Sequence, residues 1–425
     1  MATLNFAKIT ILSGVVTFFR LLAGLLISKV VAIYTGPSGM ASLGQLQNMV
    51  TFINGFVSSQ VSQGLNRYSS EYKDDYESAK YYWQAAIKLS LLACCFIISV
   101  GVILSADISQ YLFHQKQYYW LVVVALCVLP LNIINNIFLG VLNGLGEHNR
   151  FFLANLLAII SGLISMTALV YFFGITGALI SAALNNAVAG LCLIGIIFKR
   201  PWFKIRYWIG VASSQHTSEM RKYFYMGVIG ALTGPISLIA VRTIISNDLT
   251  QDYAGYWQAV SKISEAYLAV LTTALTVYYF PKTAAAKTVD DYLSTLKSGA
   301  TVVIPLAFLF ACAIFLCKDI IIKILFTAEF YRARDLFLFQ NIGDFFRISS
   351  WLFATILLAK GYFKINATLE IFFSLLFPLA TKFFITYYGL QGVSIAYFLT
   401  YFVYFNVTIL IYIKHLKRVQ NATFE

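Results

Sequence analysis

The chain has 425 residues, of which 59% are hydrophobic and only 12% charged, with a formal net charge of +13. Soluble domains carry roughly a quarter charged residues, so this composition excludes an ordinary soluble enzyme and indicates an integral membrane protein. Apolar runs of 20 or more residues match a ~30 Å hydrocarbon core at ~1.5 Å per residue, which favours helices over the ~10-residue alternating strands of a barrel.

In chain order, twelve spans are predicted, at 9-34, 40-66, 83-104, 119-142, 151-173, 177-198, 223-246, 253-280, 299-317, 336-360, 365-387 and 391-413. The first is too long for the apolar core of a signal peptide and shows no small-residue cleavage pattern, so it reads as a span. All six cysteines fall inside apolar runs without metal-ligand spacing, and the four histidines fall in loops or the tail, so no metal site is expected. With the N-terminus placed in the cytoplasm, inside segments hold 19 of the 31 Lys and Arg residues and outside loops hold 5. That bias puts both termini inside and accounts for most of the net charge, so it is no evidence for nucleic acid. The basic and aromatic stretch "KRPWFKIRYWIG" (199-210) reads as an interfacial anchor, with Trp and Tyr at headgroup depth.

The connection 199-222 is the longest and divides the spans six and six. The expected domains are a first lobe (1-198), a cytoplasmic linker (199-222), a second lobe (223-413) and a tail (414-425). Shifting the sequence by 213 places Lys29 on Arg242, Gln45 on Gln258, Ser59 on Thr272 and Gln63 on Thr276. A shift of 215 places "GITG" (174-177) on "GLQG" (389-392), and a shift of 217 places Gly144 and Asn149 on Gly361 and Asn366. Two parallel six-helix repeats follow, an arrangement in which transporters place substrate between the halves and alternate access by rocking them.

Polar residues in the second helix of each predicted half recur at helical spacing. Gln258, Lys262, Glu265, Thr272 and Thr276 form one stripe, and Gln45, Asn48, Gly55, Ser59, Ser62 and Asn66 form its counterpart. Asn341, Asp344, Arg347, Trp351 and Thr355 make a third on the tenth span. Such stripes avoid lipid, because a charge at the bilayer centre costs at least ~2.5-3.5 kcal/mol. They either line a wet interior or serve as interhelical glue, since Lys262 and Glu265, and likewise Asp344 and Arg347, are three apart and can pair locally. Within the spans lie seven cations (Arg20, Lys29, Lys88, Arg242, Lys262, Arg347, Lys382) and three anions (Glu265, Asp344, Glu370). Lys88 and Lys382 lie near span ends and can snorkel, which leaves five cations and a field that attracts an anion. Arg20, Lys29, Arg242, Lys262 and Arg347 are therefore the candidate anion-binding residues, the three arginines leading because a guanidinium grips phosphate bidentately. Glu265 and Asp344 are the candidate charge partners or coupling groups, with Gln45, Asn48, Ser59, Gln258, Thr272 and Asn341 as polar lining. Tyr256, Trp257, Tyr267 and Trp351 are candidates for stacking on sugar rings.

Four stretches, "AIYTGPSGMASLGQLQNMVTFINGF", "NRYSSEY", "AGYWQAVSKISEAYL" and "FTAEFYRARDLFLFQNIGDFFRISSWLF", resemble the Wzx-type flippases of O-antigen and enterobacterial common antigen repeat units. These belong to the polysaccharide-transport branch of the multidrug and oligosaccharidyl-lipid exporter superfamily, and the resemblance runs through all twelve spans. It implies a multi-pass protein of the bacterial inner membrane whose two lobes form a V. Its substrate would be an undecaprenyl-pyrophosphate-linked oligosaccharide, moved from the cytoplasmic to the periplasmic leaflet by alternating access. It further implies a cation-lined lumen, coupling to H+ or Na+ rather than a bound cofactor, and the O-antigen polymerase and chain-length regulator as partners. The closest match, "QNIGDFFR", favours Asp344 and Arg347.

Three rivals make different demands. A cation-coupled multidrug exporter of the same superfamily would carry an excess of buried acids, the reverse of this chain. A polymerase would need a large outer loop with catalytic carboxylates, whereas the longest outer loop here, 318-335, is about 18 residues and shows no such pair. A lipid II flippase would share the cationic cavity but is expected to have two more helices.

Overall fold

The computed structural model describes residues 2-422; the side chains of 2-11, Ser59, Met226, Ala274, Val277, Phe363 and Ala422 lie outside the described set. Among the described residues all regular structure is helical. Nine helices among the described residues are long and apolar enough to cross a membrane. Two of these, Leu12-Ser58 and His148-Ile197, are 47 and 50 residues long, more than twice what a ~30 Å core needs. Each is broken within. α1 (Ala2-Asn54) turns at Gly36, with φ 64° and ψ -167°, just before Pro37; α7 (His148-Ile197) turns at Gly174, with φ 56° and ψ -132°. Positive φ at these points is the conformation that only glycine adopts cheaply. α9 (Gln251-Ala274) falls below that hydropathy, so with each broken helix counted as two the helix count fits the twelve expected spans roughly.

The remaining elements follow in order. α1 passes through a π segment, Gly55-Ser59, into α2 (Gln60-Glu71). α3 (Tyr76-Ile103) is capped by Asp75, whose carboxylate accepts from the Glu77 and Ser78 amides. A short α4 (Ser105-Phe113) precedes the fourth span, which differs from expectation: it is two helices, α5 (Tyr119-Cys127) and α6 (Leu129-Gly144). Pro130 in the first turn of α6 explains the break, since its ring excludes continuation from the preceding helix. α8 is Ser214-Asp248, and α9 passes through a second π segment, Leu275-Tyr279, into α10 (Phe280-Ala285). α11 (Val289-Leu325) begins with a Thr288/Asp291 capping box. It is longer at both ends than the predicted 299-317. α12 (Phe337-Ala359), α13 (Phe363-Tyr388) and α14 (Gln391-Ala422) complete the chain.

Two compact units result: the first runs to Thr35 and from Ser42 to Ile239, the second takes Gly36-Ala41 and the chain from Ala240 onward. α8 contributes its first part to one unit and its last turns to the other. The repeat is visible in backbone geometry. Gly174 and Gly389, 215 residues apart, share φ near +56° and ψ near -133°. Three residues on, a Cβ at Gly177 would lie 1.9 Å from the Leu169 carbonyl oxygen, and one at Gly392 would lie 2.3 Å from that of Phe384. Gly146 and Gly361, with φ 72° and 71°, also stand 215 apart, so this turn aligns Gly361 with Gly146 and not with Gly144 as the sequence shift suggested.

The 199-213 segment departs from its predicted place. It forms two 3-10 turns, Pro201-Phe203 and Ile205-Tyr207, packed into the core of the first unit. Trp202, Tyr207 and Trp208 are buried, so these aromatics pack inside the first unit rather than presenting their rings outward as the sequence reading expected. Trp208 stacks on Trp83 at 4.9 Å, and the Trp202 indole N-H donates to Glu147 at 2.9 Å. Burial pushes the Glu147 carboxyl up, but hydrogen bonds from Trp202 and Arg200 and the charges of Arg200 and Arg150 hold it below the usual carboxylate value.

Candidate functional site

In the second unit, polar side chains from α9, α12 and α14 converge on Asp344. This carboxylate has no exposed surface. Its Oδ2 accepts from the Tyr267 hydroxyl at 2.6 Å and its Oδ1 from the Tyr397 hydroxyl at 2.7 Å, and Ser264 stands beside it. Ser264 and Tyr267 are three apart on α9, so both face α12. Gly343 allows α14 to come close: a Cβ there would lie 2.5 Å from the Tyr397 ring and 3.2 Å from the Phe398 Cα. Arg347, one turn along α12 from Asp344, donates through Nη1 to the same Tyr397 hydroxyl at 3.1 Å, and its guanidinium lies 5.3 Å from the Tyr401 ring centre. Asp344 and Arg347 are thus joined through Tyr397. A buried carboxyl group that accepts from hydroxyls on α9 and α14 ties three helices together.

A second group lies between α8 and α9. The buried Arg242 embraces the Gln258 Oε1 with Nε, at 2.8 Å, and with Nη2, and its guanidinium lies 5.4 Å from the Trp257 ring centre. Lys262 pairs with Glu265 on its own helix at 2.9 Å. The Glu265 side chain keeps 48% of its surface exposed, and the charges of Arg242 and Arg347 act on it together with Lys262. Asp344 and Glu265 therefore have different positions: Asp344 is buried beneath tyrosine hydroxyls, whereas Glu265 is about half exposed and paired with Lys262.

The other predicted residues are distributed more widely. Asn341 donates to the Ala311 carbonyl at 3.2 Å, tying α12 to α11, and half-buried Thr272 donates back to Ala269 at 3.2 Å just before the π segment. In the first unit, Arg20 donates to the Asn155 Oδ1 at 2.9 Å and stays exposed, while Lys29 is half-buried on α1. Gln45 reaches the Ile239 carbonyl at 3.4 Å, and Asn48 is half-buried one turn further along. Ser59 lies outside the residues whose side chains are described; its neighbour Ser58 accepts from Asn136 at 2.7 Å, joining α6 to the π segment. Lys382, expected to snorkel, finds Asp248 at 2.7 Å.

Of the aromatics proposed for sugar stacking, Tyr267 is committed to Asp344 and Trp257 is buried beneath Arg242. Tyr256 packs on Phe330, and Trp351 remains 37% exposed. Sequence reasoning missed Ser264, Tyr397 and Tyr401. The latter two stand four apart on one face of α14, a spacing legible in the sequence but set aside among the many aromatics.

Comparison with known proteins places the chain in a family. The family model described as "Polysaccharide biosynthesis protein" matches residues 6-284. The chain belongs to that family. It is 24% identical over 404 residues to the Lipid III flippase of Escherichia coli (strain K12), covering 95% of this chain and 97% of that protein, and the same figures hold for the Lipid III flippase of Shigella flexneri. Among solved structures, an inward-facing MATE family multidrug resistance transporter of the MOP superfamily matches with TM-score 0.83 at 15% identity, over 96% of both chains. A MOP superfamily transporter from Pyrococcus furiosus, described as having a binding pocket of reverse polarity, matches with TM-score 0.71 at 14% identity, over 97% of this chain and 96% of that one. At such identities the likeness establishes the fold, which is that of MOP-superfamily transporters.

Proposed function

We propose that the protein is a flippase that carries a polyprenyl-diphosphate-linked oligosaccharide of the O-antigen or enterobacterial common antigen type across the bacterial inner membrane. The single observation that carries this reading is the excess of cations within the predicted spans, seven (Arg20, Lys29, Lys88, Arg242, Lys262, Arg347 and Lys382) against three acids (Glu265, Asp344 and Glu370), with Arg242, Lys262 and Arg347 on α8, α9 and α12 of the second unit. A diphosphate supplies the negative charge that this set lacks, and guanidiniums bind its oxygens through paired N-H groups. Similarity to Lipid III flippases over nearly the full chain supports a lipid-linked substrate. Arg20 and Lys29, in the first unit, are the remaining cations proposed to bind an anion.

Alternating access moves the headgroup, and exchange with H+ or Na+ drives it, with Glu265 as the coupling group because it is a part-exposed acid already paired with Lys262. Asp344 is assigned a structural part. The O-antigen polymerase would consume the delivered units under a chain-length regulator, on the periplasmic side. The multidrug-exporter alternative fits the charge balance poorly, since cationic drugs would be repelled by the same residues.

Translocation in proteoliposomes tests the proposal. A short-chain polyprenyl-diphosphate oligosaccharide with a fluorescent sugar should become accessible to an external sugar-oxidising probe only when the protein is present, and inorganic pyrophosphate should compete. No acceleration with any diphosphate-linked sugar, together with transport of a cationic dye, would replace this reading with drug export.

A further inference from the structure

The surface of the 199-213 segment carries an arrangement that transport does not use. Its aromatic residues face inward and anchor it: Trp202, Tyr207 and Trp208 are buried, and the Gln84 amide reaches the Ile209 carbonyl at 3.5 Å. With the bulky rings inside, the aliphatic residues are left outside. Ile205 is 74% exposed, Ile209 71% and Val211 89%. Exposed Lys199, Lys204 and Arg206 lie among them, and the stretch 199-213 contains no acidic residue. Arg206 is already engaged by Glu77 at 3.5 Å, leaving the lysines as the outward charges.

A fixed platform that offers aliphatic tips ringed by cations suits one partner above others. Residue 199 follows α7 by one residue, and α7 ends a membrane-spanning segment at Ile197, so the platform stands at the bilayer surface. Aliphatic tips enter the boundary between headgroups and acyl chains, and lysines at that depth meet lipid phosphates. A partner protein would have to compete with lipid already present there.

We propose that residues 199-211 form a docking surface for anionic phospholipid, with Ile205, Ile209 and Val211 inserted into the interface and Lys199 and Lys204 bound to headgroup phosphates. Because the segment links α7 to α8 and is locked to α3 through Trp83 and Gln84, lipid bound here holds that end of the first unit at a set depth.

Hydrogen-deuterium exchange on the full-length protein in nanodiscs tests this. Amides of 203-212 should exchange more slowly in phosphatidylcholine with added phosphatidylglycerol than in phosphatidylcholine alone. Lys199→Gln and Lys204→Gln should each raise the phosphatidylglycerol needed for half-protection by about fivefold. The double variant Ile205→Ser/Ile209→Ser should exchange faster in both lipids while leaving the amides of α3 and α7 unchanged. Protection that ignores phosphatidylglycerol, or that appears in detergent as protein concentration rises, would overturn the proposal, the latter in favour of a contact between copies of the chain.

Discussion

Replacing Asp344 by Asn changes charge and one hydrogen-bonding atom while keeping shape. The native carboxyl group accepts from Tyr267 at 2.6 Å and from Tyr397 at 2.7 Å. Asparagine keeps one acceptor oxygen and presents an NH2 group where the second stood. If that group faces Tyr397, the hydroxyl must accept it while already accepting Arg347, and its own proton loses its partner. Hydrogen bonds to charged groups are worth about 1.5-3 kcal/mol in water-soluble proteins. Between membrane helices they average about 0.6 and reach about 1.7 kcal/mol, because the unfolded chain in lipid also finds partners. With one bond lost outright and the Tyr397 link to Arg347 weakened, the expected loss is about 1-3 kcal/mol. Reversible unfolding in mixed detergent micelles with rising dodecyl sulfate measures it. Tyr397→Phe removes the bridge itself, so a double-mutant cycle with Asp344→Asn should show a coupling of at least about 1 kcal/mol. Additivity within about 0.5 kcal/mol, or wild-type stability of Asp344→Asn, would refute the idea that Tyr397 joins the two charges.

Other predictions concern separate parts of the molecule. Gly177→Ala and Gly392→Ala should both be destabilising, by about 1-3 kcal/mol, because each added Cβ meets a carbonyl oxygen from the preceding helix; melting of the two variants should move in parallel, and an unaffected variant would exclude that approach. Arg242→Ala should abolish translocation at normal membrane levels, whereas Arg242→Lys should keep part of it, since lysine retains the charge but cannot fork around Gln258; initial rates in proteoliposomes measure both. The folded-state value of Glu147 lies below the ordinary one, so its stabilisation is complete above the ordinary carboxylate pKa and is lost as pH falls through the lowered value. Glu147→Gln should therefore melt earlier than wild type at pH 7, and the difference should shrink below about pH 4; a constant difference across that range would contradict the assignment.

Much of the fold was readable because lipid imposes simple demands on sequence. Span lengths follow from bilayer thickness, and the glycines of "GITG" and "GLQG" marked turns that adopt the same conformation. What escaped was set by tertiary packing. Pro130 splits the fourth span, but sequence alone does not separate a kink from a break. Trp202 and Trp208 read as interfacial residues because composition gives depth preference without direction; Glu147 and Trp83 draw them inward. The charges of α9 and α12 were legible as stripes, and their partners were not. Whether Arg347 meets Asp344 directly or through Tyr397 depends on how closely α14 approaches, which Gly343 decides from another helix. The difference between buried Asp344 and half-exposed Glu265 likewise has no signature in either residue's neighbours along the chain.

The most direct test of the central claim is complementation in a bacterium lacking its own O-antigen flippase but supplied with the matching sugar pathway, scoring surface polysaccharide for wild type and Arg347→Ala at equal membrane levels. The account predicts polymer with wild type and none, or a small residue, with the variant. Equal polymer from both would contradict a cationic diphosphate site, and none from either would contradict flipping itself.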